Sequence, residues 1–484
     1  MMTRNEAIAL YPQISQLIAG EQVPAGDRAT GDILDPTTGL VLGQYPIATE
    51  EDVTRAIAAA EHGFAVWRKT PAFERARVLR KVADTMRSRT EELARLVVLE
   101  LGKPWKEAAA EVEQAAGMWE WAAEEGRRAY GRIIPAREPD ARQLVLREPI
   151  GPIAAFGSWN APLITPSRKM AGALGAGCSI VMRASEEVPA CALAIGLIAY
   201  ECGVPEGALS VLTGDPAMIS RRLLDSHVIR GLTFTGSIEI GKMLSAHAMA
   251  TMKRPIMELG GHAPVLVFRG VDIAATAKAA ATGKFRNSGQ ICVAPTRFFI
   301  ERAIYAEFTE ALVEQTARLK LGDGFDPDVT MGPLVSPRRV NAIADLVADA
   351  RQRGLRIAAG GGIPDRDGFF HEPTVIADAT TEARVSNIEP FGPIAVCAAF
   401  DSYEEAIALA NRLPMALASF VHSPDVRTIN RAIDDIEAGS VICNGWRVSL
   451  PETPFGGMKE SGLASEGGIE GLQAFQNVKF AYVA

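Results

Sequence analysis

The residue type most apt for chemistry is a cysteine in a glycine-containing loop, Cys292 in FRNSGQICVAPTR (Phe285–Arg297), just after a predicted helix. A thiol attacks as its thiolate, and nearby cations or backbone N–H groups supply the stabilisation it needs. Taken alone, such a cysteine reads more readily as a buried core thiol. Upstream, MELGGHAP (Met257–Pro264) sets Glu258 before Gly260–Gly261, at the start of a predicted strand. A carboxyl group among apolar residues has a raised pKa, which suits a general base near neutral pH. The glycine pair permits close approach of a ligand to the backbone; the plainer alternative is a surface glutamate at a turn. FGSWNAPL (Phe156–Leu163) puts Asn160 just after a predicted strand. There its amide can donate to a developing oxyanion, or simply form a turn. FTGSIEIG (Phe234–Gly241) reads as a strand, a Gly236–Ser237 turn and a helix start, with N–H groups placed for a pyrophosphate. The chain has no GxGxxG, so the ordinary dinucleotide fingerprint is absent and a variant one stays open.

The bulk numbers bound the scaffold these residues need. The chain has 484 residues, 48% hydrophobic and 22% charged, with a formal net charge of −8. That length suggests about two to four domains. The acidic balance offers no electrostatic footprint for nucleic acid or an anionic membrane, so neither partner is expected. Cysteines at 178, 191, 202, 292, 397 and 443 make no CxxC pair and no metal-ligand spacing. They read as free thiols in a reducing compartment, with no metal. The first residues do not read as a signal peptide, and no apolar run approaches the roughly 18 residues that span a bilayer. The cytoplasm is the expected location.

From about Glu50 to Gly126 apolar residues recur at three- and four-residue steps and predict helices, one of them ended by Gly102 and Pro104. Arg142–Pro149 and the C-terminal FQNVKFAYVA alternate as strands. Two solitary strands need partners, and a shared oligomerisation sheet is one source of them. Between Ile150 and Phe268, short β-rich runs (IGPIAAF, CSIVMR, ALSVLT, IRGLTFTG, APVLVF) alternate with helical Ala190–Cys202 and Ser237–Met249. That alternation means βαβ units and a parallel sheet. Helices near Ala274–Phe285 and Ile304–Lys320 belong to a second α/β stretch ending near Ala438.

Six strings, in order, resemble the aldehyde dehydrogenase superfamily along essentially the whole chain: Trp159–Pro162, Phe234–Ser237, Glu258–Gly261, Gly289–Cys292, Glu389–Pro393 and Pro454–Gly462. The resemblance implies an α/β fold with a variant Rossmann NAD-binding domain (1–125 and 150–256) and a catalytic domain (257–448). It adds oligomerisation strands (126–149 and 465–484) in a homodimer or homotetramer. It implies that Cys292 attacks an aldehyde carbonyl while the Asn160 side chain and the Cys292 N–H hold the oxyanion. Hydride then leaves for NAD, and Glu258 activates the water that hydrolyses the thioester. Lys169 matches a family lysine beside the active site. Trp159, Glu389 and Phe391 match cofactor positions, the last two at the nicotinamide ribose and ring; Gly236, Ser237 and Gly241 match the pyrophosphate turn. On the adenine side the family's Lys-Pro-Ser-Glu is replaced by Arg183–Ala184–Ser185–Glu186. Glu186 favours NAD, whereas Arg183 can draw toward the 2′-phosphate of NADP.

Within the superfamily, Arg168, Arg286 and Ser449 resemble the carboxylate-holding positions of succinate-semialdehyde dehydrogenases. Arginine binds carboxylate bidentately; the alternative is that both arginines are scaffold residues paired to acidic neighbours. Trp446 departs from the small or aliphatic residue expected there, and its indole suits a bulkier or aromatic aldehyde acid. A broad or aromatic specificity is therefore the second reading. A CoA-acylating relative is disfavoured because Glu258 is present, and a non-enzymatic protein on this scaffold because Asn160, Glu258 and Cys292 are all kept.

Overall fold

The computed structural model describes residues 2–484. Its N-terminal helices follow from their own sequences. Thr49 caps Glu50–Trp67, and Asp52 completes the capping box, so two otherwise unpaired N–H groups are satisfied. Thr90–Leu101 stops where Gly102 adopts φ 75. Trp105–Gly126 then starts after Pro104 and buries Ala108, Val112, Ala115 and Trp119 at three- and four-residue steps.

The first sheet has five central parallel strands, in spatial order Leu209–Leu212, Ile180–Arg183, Ile153–Phe156, Gly231–Gly236 and Arg254–Leu259. Alternate residues feed two cores, Ile153 and Ala155 one, Ala154 and Phe156 the other. A strand covered on both faces reads as a continuous apolar run, as these do. Antiparallel Gln16–Ile18 and Glu21–Val23 extend one edge, and Gly462–Leu463 the other. The second sheet runs Arg356–Ala359, Thr374–Ala377, Ile394–Phe400, Arg297–Glu301, Pro264–Val267, Ala418–His422 and Ser440–Cys443, parallel except for its first pair.

Two details differ from expectation. Glu258 lies near the end of strand Arg254–Leu259, not at the start of one, and APVLVF belongs to the second sheet. Pro255 disguised the strand; it is tolerated because the outer neighbour covers only Met257 and Glu258. The two solitary strands find each other within one chain, Gln476 opposite Pro149 through Val483 opposite Arg142, with Arg132–Ile134 alongside. Val478, Phe480 and Tyr482 stay exposed on the free edge strand. Among the described residues no helix is long and apolar enough to cross a membrane.

Buried Glu100 ties these layers together. Its carboxyl group accepts from the Ala190 N–H at 2.8 Å, the Cys191 N–H at 3.3 Å and the Tyr11 hydroxyl at 2.7 Å. It thereby caps helix Pro189–Cys202. Glu100→Ala orphans these donors and costs about 1–3 kcal/mol, read as an earlier urea midpoint. Glu100→Gln keeps an acceptor and loses less; an unchanged midpoint in the alanine variant would contradict this role.

Candidate active site

Strand order reverses between Ile153–Phe156 and Gly231–Gly236, and the crevice outside the carboxyl ends of such strands is where doubly wound sheets bind ligands. A cavity of about 1810 Å³ opens there. It gathers Cys292, Glu258 and Asn160, and with them Trp159, Gly236, Ser237, Glu389 and Phe391.

A strained turn positions the thiol. Helix Ile273–Phe285 gives way to Asn287 (φ 48), Ser288 (φ 55) and Gly289 (φ 72), and two left-handed non-glycine residues in a row cost roughly 1–2 kcal/mol each. Side chains hold the turn. Asn287 Nδ2 donates to the Asn160 carbonyl at 2.9 Å and to the Gln290 carbonyl at 3.1 Å. Ser288 Oγ donates to the Gly332 carbonyl at 2.7 Å, and Gln290 Oε1 accepts from the Val335 N–H at 3.0 Å. A β-carbon at Gly289 would lie 2.2 Å from the Gly392 oxygen, so no larger residue fits. The Asn160 side chain enters the same network: Nδ2 donates to the Gln290 carbonyl at 3.1 Å, and Oδ1 accepts from Ser158 at 2.7 Å. One amide N–H remains for a ligand.

Glu258 is 3% exposed, and burial followed by the charge of Glu466 pushes its carboxyl group up to about 7. Burial and the facing Glu258 carboxylate drive the Cys292 thiol well above its ordinary value. Burial raises Glu389 to about 8. Gly260 and Gly261 are needed for close approach within the chain itself: a β-carbon would sit 2.6 Å from Glu389 Oε2 at the first, and 3.0 Å from the Cys292 oxygen at the second.

Several expected residues stand elsewhere. Lys169 is fully buried and does not line the cavity; its ammonium is committed to Glu466 at 2.5 Å and Thr233 at 3.1 Å. Glu466 does line it. The Gly241 N–H donates within its helix to the Ser237 carbonyl at 2.9 Å, and a β-carbon there would lie 2.3 Å from Leu259, so this glycine serves helix–strand packing. Arg183, Ser185 and Glu186 lie outside the cavity, Arg183 at the carboxyl end of its strand. There Arg183 pairs with Glu186 and donates to the Gly214 carbonyl at 3.1 Å, while Ser185 donates to Glu187.

Arg168, Arg286, Ser449 and Trp446 all line the cavity. Arg168, 7% exposed, donates to Ser449 Oγ at 2.7 Å, covers the Phe455 ring at 4.4 Å and leaves its buried Nε without a partner among the described residues. Its hydrogen-bonded side-chain partner is thus a hydroxyl and not a carboxylate. Arg286 is exposed and makes no ion pair among the described residues. The Trp446 indole stacks on His422 at 4.4 Å, which fixes it as a rigid wall.

Two functional neighbours escaped the sequence reading. Glu107 and Glu111 stand four residues apart on helix Trp105–Gly126. Glu111 pairs with Lys103 and accepts from the Leu163 N–H at 3.0 Å, and Glu107 accepts from the Asn287 N–H at 2.8 Å. No periodicity signals this; only the fold brings those N–H groups to them.

The raised thiol has a measurable consequence. Alkylation of Cys292 by iodoacetamide, followed by peptide mass spectrometry on the free protein, should keep rising above pH 9.0 instead of levelling near it. A plateau below pH 8 would show that the thiolate is stabilised and not opposed.

The chain matches the aldehyde dehydrogenase family over residues 23–481. It is 42% identical over 479 residues to a putative 4-(hydroxymethyl)benzenesulfonate dehydrogenase of Comamonas testosteroni, covering 98% of this chain and 99% of that one. It is 37% identical over 464 residues to the NADP(+) succinate-semialdehyde dehydrogenase of Escherichia coli K12, covering 96% of each. Betaine aldehyde dehydrogenase of Staphylococcus aureus, solved in complex with NAD+, superimposes with a TM-score of 0.95 at 32% identity, over 99% of this chain and 97% of that one. With that agreement from end to end, the chain belongs to the aldehyde dehydrogenase family and is an oxidoreductase acting on aldehydes.

Proposed function

We propose that the protein oxidises an aldehyde carrying a remote anionic group to the carboxylic acid, with NAD, through a thioester on Cys292. The observation that carries this reading is the single cavity in which the Cys292 turn, the Asn160 amide and Glu258 meet beside Arg168, Arg286 and Ser449. The Cys292 thiol gives up its proton to solvent as its sulfur bonds the aldehyde carbon, while the free Asn160 N–H and the Cys292 N–H receive the oxyanion. NAD, when bound, would supply the acceptor for the hydride lost from that carbon. Glu258 takes a proton from water as the water oxygen bonds the acyl carbon; the C–S bond breaks to release the acid, and Glu258 returns that proton to the departing Cys292 sulfur. Water as acyl acceptor is preferred to CoA because Glu258 is kept.

The cavity fits such a cofactor. The Trp159 and Phe391 rings meet edge-on at 5.4 Å, buried Thr235 Oγ1 has no partner among the described residues, and Gly236–Ser237 opens helix Ile238–Met249. Glu389 and Phe391 would hold the ribose and the nicotinamide, and the helix N-terminus the pyrophosphate. Arg183, Ser185 and Glu186 would meet the adenine-side ribose, where Glu186, already engaging Arg183, disfavours a 2′-phosphate. NADP stays the weaker cofactor. Lys169 would act behind the site by fixing Glu466.

We assign residues 1–125 and 150–256 to cofactor binding and 257–448 to catalysis. Segments 126–149 and 465–484 would serve assembly into a homodimer or homotetramer, the free edge strand being one contact. The free cysteines favour the cytoplasm.

For the substrate, a carboxylate such as that of succinate semialdehyde satisfies Arg168, Ser449 and Arg286. The rigid Trp446 wall favours a second reading, an aryl aldehyde bearing carboxylate or sulfonate, which accords with the name of the Comamonas testosteroni relative. NADH formation with succinate semialdehyde, 4-carboxybenzaldehyde and butanal tests both. An anionic substrate should exceed butanal at least about tenfold in kcat/KM, the equivalent of ~1.4 kcal/mol. Arg286→Ala should erase most of that margin while sparing butanal. Equal efficiencies in the unaltered enzyme would reduce the arginines to scaffold.

A further inference from the structure

The nucleophile turn is left-handed at two residues that have side chains, so something must hold it. Its side-chain bonds have been described; one backbone donor remains. The Asn287 N–H has a single acceptor among the described residues, Glu107 Oε2 at 2.8 Å. Glu107 stands in the first turn of helix Trp105–Gly126 and lines the same cavity as Cys292 and Asn160. It comes from an element that contributes nothing else to the turn. One helical turn on, Glu111 holds the Leu163 N–H just ahead of helix Ile164–Ala176, which carries Arg168. A single helix thus braces both the segment that bears the thiol and the one that bears the oxyanion amide.

We propose that Glu107 is a positioning residue for the reaction. By accepting from the Asn287 N–H it holds the turn whose Asn287 side chain locks the Asn160 and Gln290 carbonyls, and so sets Cys292 against the Asn160 amide. The proposal rests on the reading of Cys292 as nucleophile. Glu107 touches neither the thiol nor the amide; it acts only through Asn287. An acceptor at this position is required, whereas a negative charge is not.

Glu107→Met and Glu107→Gln separate these roles, because they are close in bulk and only glutamine offers an acceptor. In the full-length enzyme Glu107→Met should lower kcat about ten- to hundredfold, the range expected from a displacement of about an ångström. The Kd for NAD and the KM for aldehyde should stay within about twofold, since the bond serves orientation and not binding. Glu107→Gln should recover most of the lost kcat. If the methionine variant does not fold, Glu107→Ala is read against Glu107→Gln in its place. A methionine or alanine variant with unaltered kcat overturns the proposal. So does a glutamine variant as impaired as the methionine one, which would make charge the operative property. Cys292→Ala, assayed in parallel, tests the underlying reading on its own: activity there removes the nucleophile assignment, whereas an inactive Cys292→Ala beside a fully active Glu107→Met defeats only the role of Glu107.

Discussion

A thiol and an amide donor arising from separate sheets must share one carbonyl-sized space, and the interlock of Asn287, Asn160 and Gln290 is what joins them. Asn160 follows a strand of the first sheet; Cys292 precedes a strand of the second. Neither sheet alone fixes their separation. The hydrogen bonds at 2.9–3.1 Å between the two loops do so, and they demand a backbone conformation that Asn287 and Ser288 tolerate at a cost. The surrounding protein sustains it through Gly332, Val335 and Glu107. Strain of this kind keeps a site rigid before any ligand arrives, which suits a role in which donors must already point at developing charge.

The second constraint is electrostatic. Glu258 is buried and Glu389 half-buried near it, and desolvation disfavours the charged form of each, bringing them to about 7 and about 8. A base poised there can take a proton near neutral pH and give it back. Desolvation and the neighbouring Glu258 likewise oppose ionisation of Cys292. Arg168 supplies compensating charge, and its unpartnered Nε is an unfilled demand for an acceptor.

Much of this was legible in the residues. The parallel-sheet texture from Ile150 onward and the helices from Glu50 to Gly126 follow from patterns that local chemistry imposes, whereas the convergence of Cys292, Glu258 and Asn160 on one cavity was implied by the family resemblance and not by any local pattern. What was not legible depends on partners distant in sequence. Pro255 hid a strand because its tolerance rests on how far Gly462–Leu463 extends. Glu107, Glu111 and Glu466 drew no attention in the sequence because their partners lie 180, 52 and 297 residues away. The resemblance placed Lys169 beside the active site and Gly241 at the pyrophosphate turn; what it did not reveal is that Lys169 pairs with Glu466 and that Gly241 packs against Leu259.

The central claim is that an acyl group resides on Cys292 during turnover. The most direct measurement is the mass of the Glu258→Gln protein, quenched in acid seconds after mixing with succinate semialdehyde and NAD, then digested. The account predicts a succinyl adduct on the peptide bearing Cys292, formed together with NADH and slow to disappear. NADH released with no adduct, or an adduct on another residue, would contradict it.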